Sequence, residues 1–324
     1  MRLEENALCN KCGIGRPVFR REYSGEQLCK ACFIESVERK VRRTAMKYSM
    51  FDRNDTIAIA LSGGKDSVTL LHILSKIERR FPGSRIVALT IDEGIKGYRE
   101  ESVKISKFYC RELGIKHSVS SFREIYGYDL DDIVKAAEKN ASLSPCALCG
   151  MLRRKALNAL AREKGASKLA TAHNLDDETQ TILLNMINGD VERLVRTKPK
   201  LNGIHSKFVQ RVKPLYEIPE REIVMYTYLT GLRFQEAVCP YRGTSMRQEA
   251  RGILGTLESR HPGIKYSLVR SFERLRSKLR EDPNVVIHEC VKCGEPSSQI
   301  LCKTCMEFSE LETFLSRRDA YIGF

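Results

Sequence analysis

Thr56-Ile-Ala-Ile-Ala-Leu-Ser-Gly-Gly-Lys-Asp-Ser67, running on into Val68-Thr-Leu-Leu-His-Ile-Leu74, is the stretch that decides the fold. The apolar run 56–61 has the length and β-branched content of a buried parallel strand. The residues after Ser67 carry a helical pattern, so Ser62, Gly63, Gly64, Lys65, Asp66 and Ser67 form a turn between strand and helix. Such a turn makes a phosphate site: small residues let backbone N–H groups approach an anion, and the helix N-terminus adds partial positive charge. The G-x-x-x-x-G-K-[ST] spacing of a Walker A loop is absent. The plain alternative is a Gly-Gly turn with no ligand.

The string resembles the SGG-x-D-S pyrophosphate loop of ATP pyrophosphatases, a resemblance that implies cleavage of ATP between the α and β phosphates. Outward from it the chain alternates candidate strands (56–61, 86–91, 115–120, 168–172) with candidate helices (66–80, 99–113, 129–140, 147–164, 175–188). That alternation predicts an α/β fold with a parallel sheet covered on both faces. Ligands of such sheets bind beyond the carboxyl ends of the strands, where Ser62 to Ser67, Asp92-Glu93-Gly94 and His173-Asn-Leu-Asp-Asp177 all fall. The nucleotide site expected there comprises Ala60, the six loop residues, Thr90, Asp92, Arg153, Ala172 and His173. Mg²⁺, a hard cation, takes carboxylate and phosphate oxygens, and Asp66, Asp176 and Asp177 are the available carboxylates. Lys65 can neutralise charge on the cleaved phosphates. Lys65, Asp66 and Asp177 are therefore the candidate catalytic residues. Helix capping alone is the alternative for Asp176 and Asp177, and His173 serves equally as scaffold or catalyst.

The net charge of +14, from 55 basic and 41 acidic residues, points to a polyanionic partner, most often nucleic acid. A basic protein without such a partner is the alternative. Positive charge is dense in a helix-like linker at 37–53 and in segment 193–213, which holds seven Lys/Arg and no Asp/Glu. The latter reads as a loop because of Pro199, Asn202 and Gly203, and with the linker and the cysteine modules near both ends it is the expected RNA-contact surface. Further helices are expected at 219–231, 245–260 and 264–280. No apolar run approaches membrane-spanning length, and the first residues are charged. A cytoplasmic location with no membrane association is expected, where thiols stay reduced.

Twelve cysteines in such a chain suggest metal or redox chemistry. Cys9-x2-Cys12 with Cys29-x2-Cys32, and Cys290-x2-Cys293 with Cys302-x2-Cys305, each supply four thiolates in two knuckles, which suits tetrahedral Zn²⁺. An iron–sulfur cluster is the competing occupant. The short C-terminal module cannot bury a core, and zinc, worth roughly 10–16 kcal/mol in comparable peptides, would supply its folding energy. Cys146-x2-Cys149 opens a helix whose start is marked by Ser144 and Pro145. Its dipole would lower the Cys146 thiol from about 8.5, and Arg153 shares the face of Cys149. Cys239 lies in a loop before Pro240. Two buried cysteines and a stray are the bland reading of these three, and core packing is the reading of Cys110.

Two flanking four-cysteine modules, SGGKDS, the central three cysteines, HNLDD and Pro240-Tyr-Arg-Gly-Thr-Ser245 together resemble the tRNA 2-thiolation enzymes of the TtuA and cytosolic thiouridylase group, over essentially residues 1–306. The TtcA type shares the loop and central cysteines but lacks the two modules. The resemblance implies a PP-loop (adenine nucleotide α-hydrolase-like) domain that adenylates a uridine O2 in tRNA and replaces it with sulfur. It implies a [4Fe–4S] cluster on Cys146, Cys149 and Cys239 with one open iron. It also implies a ubiquitin-like sulfur carrier with a C-terminal thiocarboxylate, and a homodimer. Positions 34 and 54 are both served within the group. Two alternatives stay open: a persulfide enzyme using Cys146 and Cys239 without a cluster, and a non-catalytic zinc-ribbon RNA-binding protein. The expected organisation is a zinc module at 1–36, a linker helix at 37–53, the catalytic domain at 54–262, a helix with the second zinc module at 263–306, and a tail at 307–324 that matches no motif.

Overall fold

The structure is a computed structural model describing residues 7–79, 81–137, 144–201, 205–243, 245–279 and 286–309. The last residues of the expected helices 66–80, 129–140 and 264–280, the loop residues Asn202 and Gly203, Thr244 and the tail from 310 onward lie outside them. The first knuckles carry a small antiparallel pair, β1 (Phe19–Arg20) and β2 (Gln27–Leu28), followed by α1 (Lys30–Lys47). The central unit runs β3 (Thr56–Ala60), α2 (Lys65–Glu78), β4 (Arg85–Asp92), α3 (Arg99–Leu113), β5 (Lys116–Ser121), α4 (Phe122–Tyr126), α5 (Leu130–Ala137), α6 (Pro145–Glu163), β6 (Lys168–Ala170), α7 (Leu175–Ile187), α8 (Val191–Val195) and β7 (Gln210–Val212). Then come α9 (Glu220–Thr230), α10 (Met246–Arg260), α11 (Ile264–Arg276) and a second antiparallel pair, β8 (His288–Glu289) and β9 (Pro296–Ser297).

Five strands form one parallel sheet in the order β5-β4-β3-β6-β7. The chain builds outward from β3 through β4 to β5, then returns to add β6 on the other side of β3. A crevice opens where the direction reverses, at the carboxyl ends of β3 and β6, and both strands run into motifs already singled out, the glycine loop and His173. Alternation along β3 sorts the two faces. Ile57 and Ile59 enter one core with Leu70, Leu71 and Ile73 of α2, whereas Ala58 enters the other with Leu148, Leu152 and Ala156 of α6.

The fifth strand was not expected. Gln-Arg-Val is short and mostly polar, and only Val212 is apolar and fully buried. It is a strand because β6 offers an open edge, pairing Leu169 with Arg211 and Ala170 with Val212. Part of the basic segment read as loop is thereby a sheet edge. The short α4 and α8 were also missed. Ser121 and Glu124 make a capping box for α4, and Asp190 accepts from the Arg193 N–H at the start of α8. One helix, α1, crosses the expected 36/37 boundary: Cys32 lies in its first turn, and Val37 and Val41 are fully buried in the core shared with α2 and α9. Cys110 is buried in that core too, as expected.

Gly63 is a fixed point of this arrangement. Its φ is +81°, and a Cβ there would stand 2.4 Å from the Ser102 backbone O and 2.8 Å from its Cα. Gly64 has φ −79°, and its Cβ would meet nothing closer than the Ser62 Oγ at 3.6 Å. Gly63→Ala should therefore cost about 1–3 kcal/mol and lower the melting temperature by several degrees, whereas Gly64→Ala should leave it nearly unchanged. Equal melting temperatures for the two variants would refute this reading of the loop.

Candidate active site

The loop is held from within. Ser67 Oγ donates to the Gly64 O (2.9 Å) and accepts from the Ser62 N–H (3.2 Å), and the two serine hydroxyls lie 3.1 Å apart. From outside, Arg99 Nη1 donates to the Ser62 O (3.1 Å) and the Gln235 N–H to the Gly63 O (3.0 Å). The first-turn N–H groups of α2, which have no intrahelical acceptor, are thus fixed beside the crevice. A cavity of about 270 Å³ lies there, lined by Ala60, Leu61, Ser62, Gly64, Asp66 and Ser67 on one side and by Thr171, Ala172 and His173 on the next strand. Arg153, Arg154 and Leu157 of α6 and Arg211 of β7 close it.

Most of the expected nucleotide residues meet at this cavity, but four do not line it. Gly63 is turned toward Ser102. Thr90 is buried and spends its hydroxyl on the Leu61 O (2.8 Å) and His117 Nε2 (2.8 Å). Asp92 accepts from the Gly94 N–H (2.9 Å). Lys65 Nζ sits 2.8 Å from Asp66 and 2.7 Å from Glu220 Oε1. Burial works against the Lys65 charge, yet Asp66 and Glu220 outweigh it and hold the ammonium above its ordinary range.

Asn174 organises the carboxylates. As N-cap of α7 it accepts from the Asp176 and Asp177 N–H groups, while its own Nδ2 donates to Asp66 Oδ1 (3.0 Å). Asp177 returns the bond to the Asn174 N–H (3.1 Å). Capping and chemistry are therefore not exclusive for Asp177. Burial first, and then the charge of Asp66, push its carboxyl up to about 6 against the Asn174 N–H. Two neighbouring carboxylates, one of them pushed up by the other's charge, form a natural cation site. Asp176 is not part of it, since it accepts from the Glu220 N–H (2.8 Å) and pairs with Lys265. His173 stands in the cavity wall with Nδ1 2.9 Å from Thr171 Oγ1. The enclosing protein, and after it the cations of Lys213, Arg211 and Arg153, hold its imidazole below its ordinary range, so it is neutral.

Glu93 and Arg99 were missed. Glu93 is 3% exposed and lies between Arg99 Nε (2.6 Å) and Arg153 Nη1 (3.3 Å). Arg99 also donates to the Ile91 O (2.7 Å). In the sequence Glu93 stands only within the strand-end string Asp92-Glu93-Gly94, and nothing local marks its partners.

The central cysteines gather on the α6 side of this network. Ser144 caps α6 and Pro145 occupies its first turn, as expected. The Cys146 thiol donates to the Tyr241 O (3.3 Å), which brings the loop of Cys239 against the helix start. Burial pushes the Cys149 thiol up to about 12; Arg153 opposes this, while Glu93, Cys239 and Cys146 add to it. The Cys239 thiol is raised by burial and by Cys146, against a bond from the Tyr241 N–H. The three thiols thus share one electrostatic neighbourhood. Among the described residues only the terminal quartets have all their sulfur atoms within 4.8 Å of one another. A buried thiol near pKa 12 carries no thiolate at neutral pH until a metal takes its proton's place.

Each terminal quartet is compact. Burial opposes the Cys9 thiolate, but the N–H groups of Cys29, Cys12 and Lys11 outweigh it and lower the thiol to about 6. The Cys302, Cys293 and Lys292 backbone groups do the same for Cys290. These quartets could each hold one metal ion. No helix among the described residues is long and apolar enough to cross a membrane.

The PP-loop domain family matches residues 34–248. A probable sulfurtransferase of Methanocaldococcus jannaschii is 36% identical, with 94% of this chain and 87% of the relative covered. The tRNA 2-thiolation protein NcsA of Haloferax volcanii is 36% identical, with 94% and 99% covered. Cytoplasmic tRNA 2-thiolation protein 1 of Chlamydomonas reinhardtii is also 36% identical, with 96% and 86% covered. Among solved structures, the U34-tRNA thiolase NcsA of Methanococcus maripaludis with its [4Fe-4S] cluster superimposes with a TM-score of 0.83 at 36% identity, covering 95% of this chain and 97% of that one. A glycine loop at the switch point, a carboxylate pair beside it and relatives aligned along nearly their whole length lead to one assignment: the chain belongs to the PP-loop family, among its tRNA 2-thiolation sulfurtransferases.

Proposed function

We propose that this chain is an ATP-dependent tRNA thiolase that converts uridine 34 to 2-thiouridine. The observation that carries the reading is that one cavity has the pyrophosphate loop on one wall and, through Glu93 and Arg153, the cysteine-bearing helix on another. Position 34 is favoured over 54 by the name of the solved relative.

Phosphates of ATP rest on the N-terminus of α2, and Asp66 and Asp177 would hold Mg²⁺ between them and the phosphate oxygens. Lys65 stabilises the departing pyrophosphate. Uridine O2 bonds to the α-phosphorus as the bond to the β-phosphate oxygen breaks, and pyrophosphate leaves with the electron pair. The incoming sulfur then forms the bond to C2, the C2–O bond breaks, and AMP carries the oxygen away. Neutral His173 takes no proton in either step and orients by hydrogen bonding. Cys146, Cys149 and Cys239 would hold a [4Fe–4S] cluster whose fourth iron is open to sulfur. Cys149, electrostatically coupled to Cys146 and Cys239, supports this over the persulfide alternative, in which it has no role. The two quartets would each hold structural zinc. Delivery of sulfur by a ubiquitin-like thiocarboxylate carrier, a homodimer and a cytoplasmic setting rest on the family resemblance.

Two outcomes are expected. ATP turnover in the presence of tRNA should yield AMP and pyrophosphate, and Asp66→Ala and Asp177→Ala should each lower it by at least about a hundredfold while tRNA still binds. ADP as the main product would overturn the assignment. Protein purified without oxygen should contain about four irons per chain together with zinc in both quartets. Cys149→Ser should lose iron and thiolation yet keep its zinc and its ATP binding. Thiolation retained by an iron-free Cys149→Ser protein would establish the persulfide route instead.

A further inference from the structure

Most cations of the basic segment are already used inside the fold. Lys213 pairs with the buried Glu178 (2.8 Å), Lys207 with Glu289 (2.7 Å) and the Gly294 O (2.9 Å), and Lys200 with the Ser49 O. The lysines expected to touch RNA are thus partly committed to holding the fold together. Arg211 is different. It sits on β7, lines the cavity, and its Nε is buried without a hydrogen-bond partner. Arg154, on α6, lines the same cavity. Neither has a carboxylate partner among the described residues; burial and then the charge of Arg154 lower the Arg211 guanidinium, and burial and then Arg153 lower that of Arg154.

Two like charges facing each other in a wall are costly unless an anion joins them. The helix makes room for this: Gly150 stands four residues before Arg154, and a Cβ there would press on Arg154 Nη1 at 3.1 Å. A glycine inside a helix costs about 1 kcal/mol relative to alanine, so the space has a use. Outward from Arg154 the positive field continues through Arg193 and Arg247. The phosphates of ATP have their own anchor, made by the α2 N-terminus and the Asp66–Asp177 pair beside it.

We propose that Arg154 and Arg211 grip a backbone phosphate of the tRNA next to the target uridine, so that the base enters the cavity between the glycine loop and the cysteine helix. This rests on the thiolase reading. Guanidinium forks suit a phosphate because they donate two parallel hydrogen bonds. A phosphate held at this depth requires the nucleotide to leave its helical stack, which unpaired anticodon bases do readily.

The test uses the full chain, prepared without oxygen, with Arg154→Gln, Arg211→Gln and Arg211→Lys. Unmodified tRNA is titrated over a range of salt, and ATP is titrated separately without RNA. Each Gln variant should bind tRNA about tenfold more weakly and flatten the log–log salt slope by about one, while ATP affinity moves less than about twofold. Arg211→Lys should restore the salt slope but not the full affinity, because it keeps the charge and loses the fork. If Arg211→Gln fails to fold, Arg154→Gln and Arg211→Lys decide the matter. Loss of ATP affinity with tRNA binding intact would assign the arginines to the nucleotide's phosphates and overturn the proposal, as would no change in either ligand. Failure of the unaltered chain to bind tRNA at all would overturn the thiolase reading as well.

Discussion

The buried carboxylate of Glu93 holds the site together. One oxygen meets Arg99, whose other nitrogens fasten the Ser62 and Ile91 carbonyls, and the second meets Arg153 on the cysteine helix. The glycine loop, the β4 terminus and α6 are therefore tied through a single side chain. Buried ion pairs add little net stability, but removing one partner typically costs about 3–5 kcal/mol because it strands the other charge. The value of this one lies in geometry. It fixes how far the nucleotide loop stands from the thiols, and it puts a cation beside Cys149 that opposes the effect of burial on its thiol.

The two four-cysteine modules relate to that centre differently. The first is continuous with the main core: Cys9, Cys32 and Phe33 pack with Val37, Leu70 and Ile223, and Arg21 is locked to Glu222 of α9 (2.9 Å). The same helix begins at Glu220, which holds Lys65, so the module braces the helix that steadies the loop lysine. The second module has almost no apolar core beyond its cysteines and Leu301. It is pinned to α6 by polar contacts, Arg162 to Glu295 (2.5 Å) and Lys155 to Cys305 (3.7 Å). A metal ion on its four cysteines would supply the folding energy that so small an apolar core cannot.

What was legible in the sequence was local. Gly63 and Gly64 mark a backbone that must turn sharply, Ser144-Pro145 marks a helix start, and paired CxxC knuckles mark a metal quartet; each depends on neighbours a few residues away. Strand β7 was hidden because two of its three residues are polar and its pairing comes from a distant strand. The Glu93–Arg99–Arg153 bridge and the cavity wall of Arg154 and Arg211 were hidden for the same reason. Thr90 and Asp92 were expected at the nucleotide by position alone, and their side chains turn out to bond the Leu61 O and the Gly94 N–H. Charge density in 193–213 did not disclose that Lys207 and Lys213 pair with Glu289 and Glu178 inside the fold, because those carboxylates lie far away in the chain.

The modified uridine is the most direct reporter of what this chain does. Transfer RNA from cells lacking this chain, digested and sequenced by mass spectrometry, should have unmodified oxygen at C2 of uridine 34 in the tRNAs that normally carry 2-thiouridine there. Returning the chain should restore the sulfur. Full thiolation of position 34 in its absence, or a loss confined to position 54, would contradict the assignment.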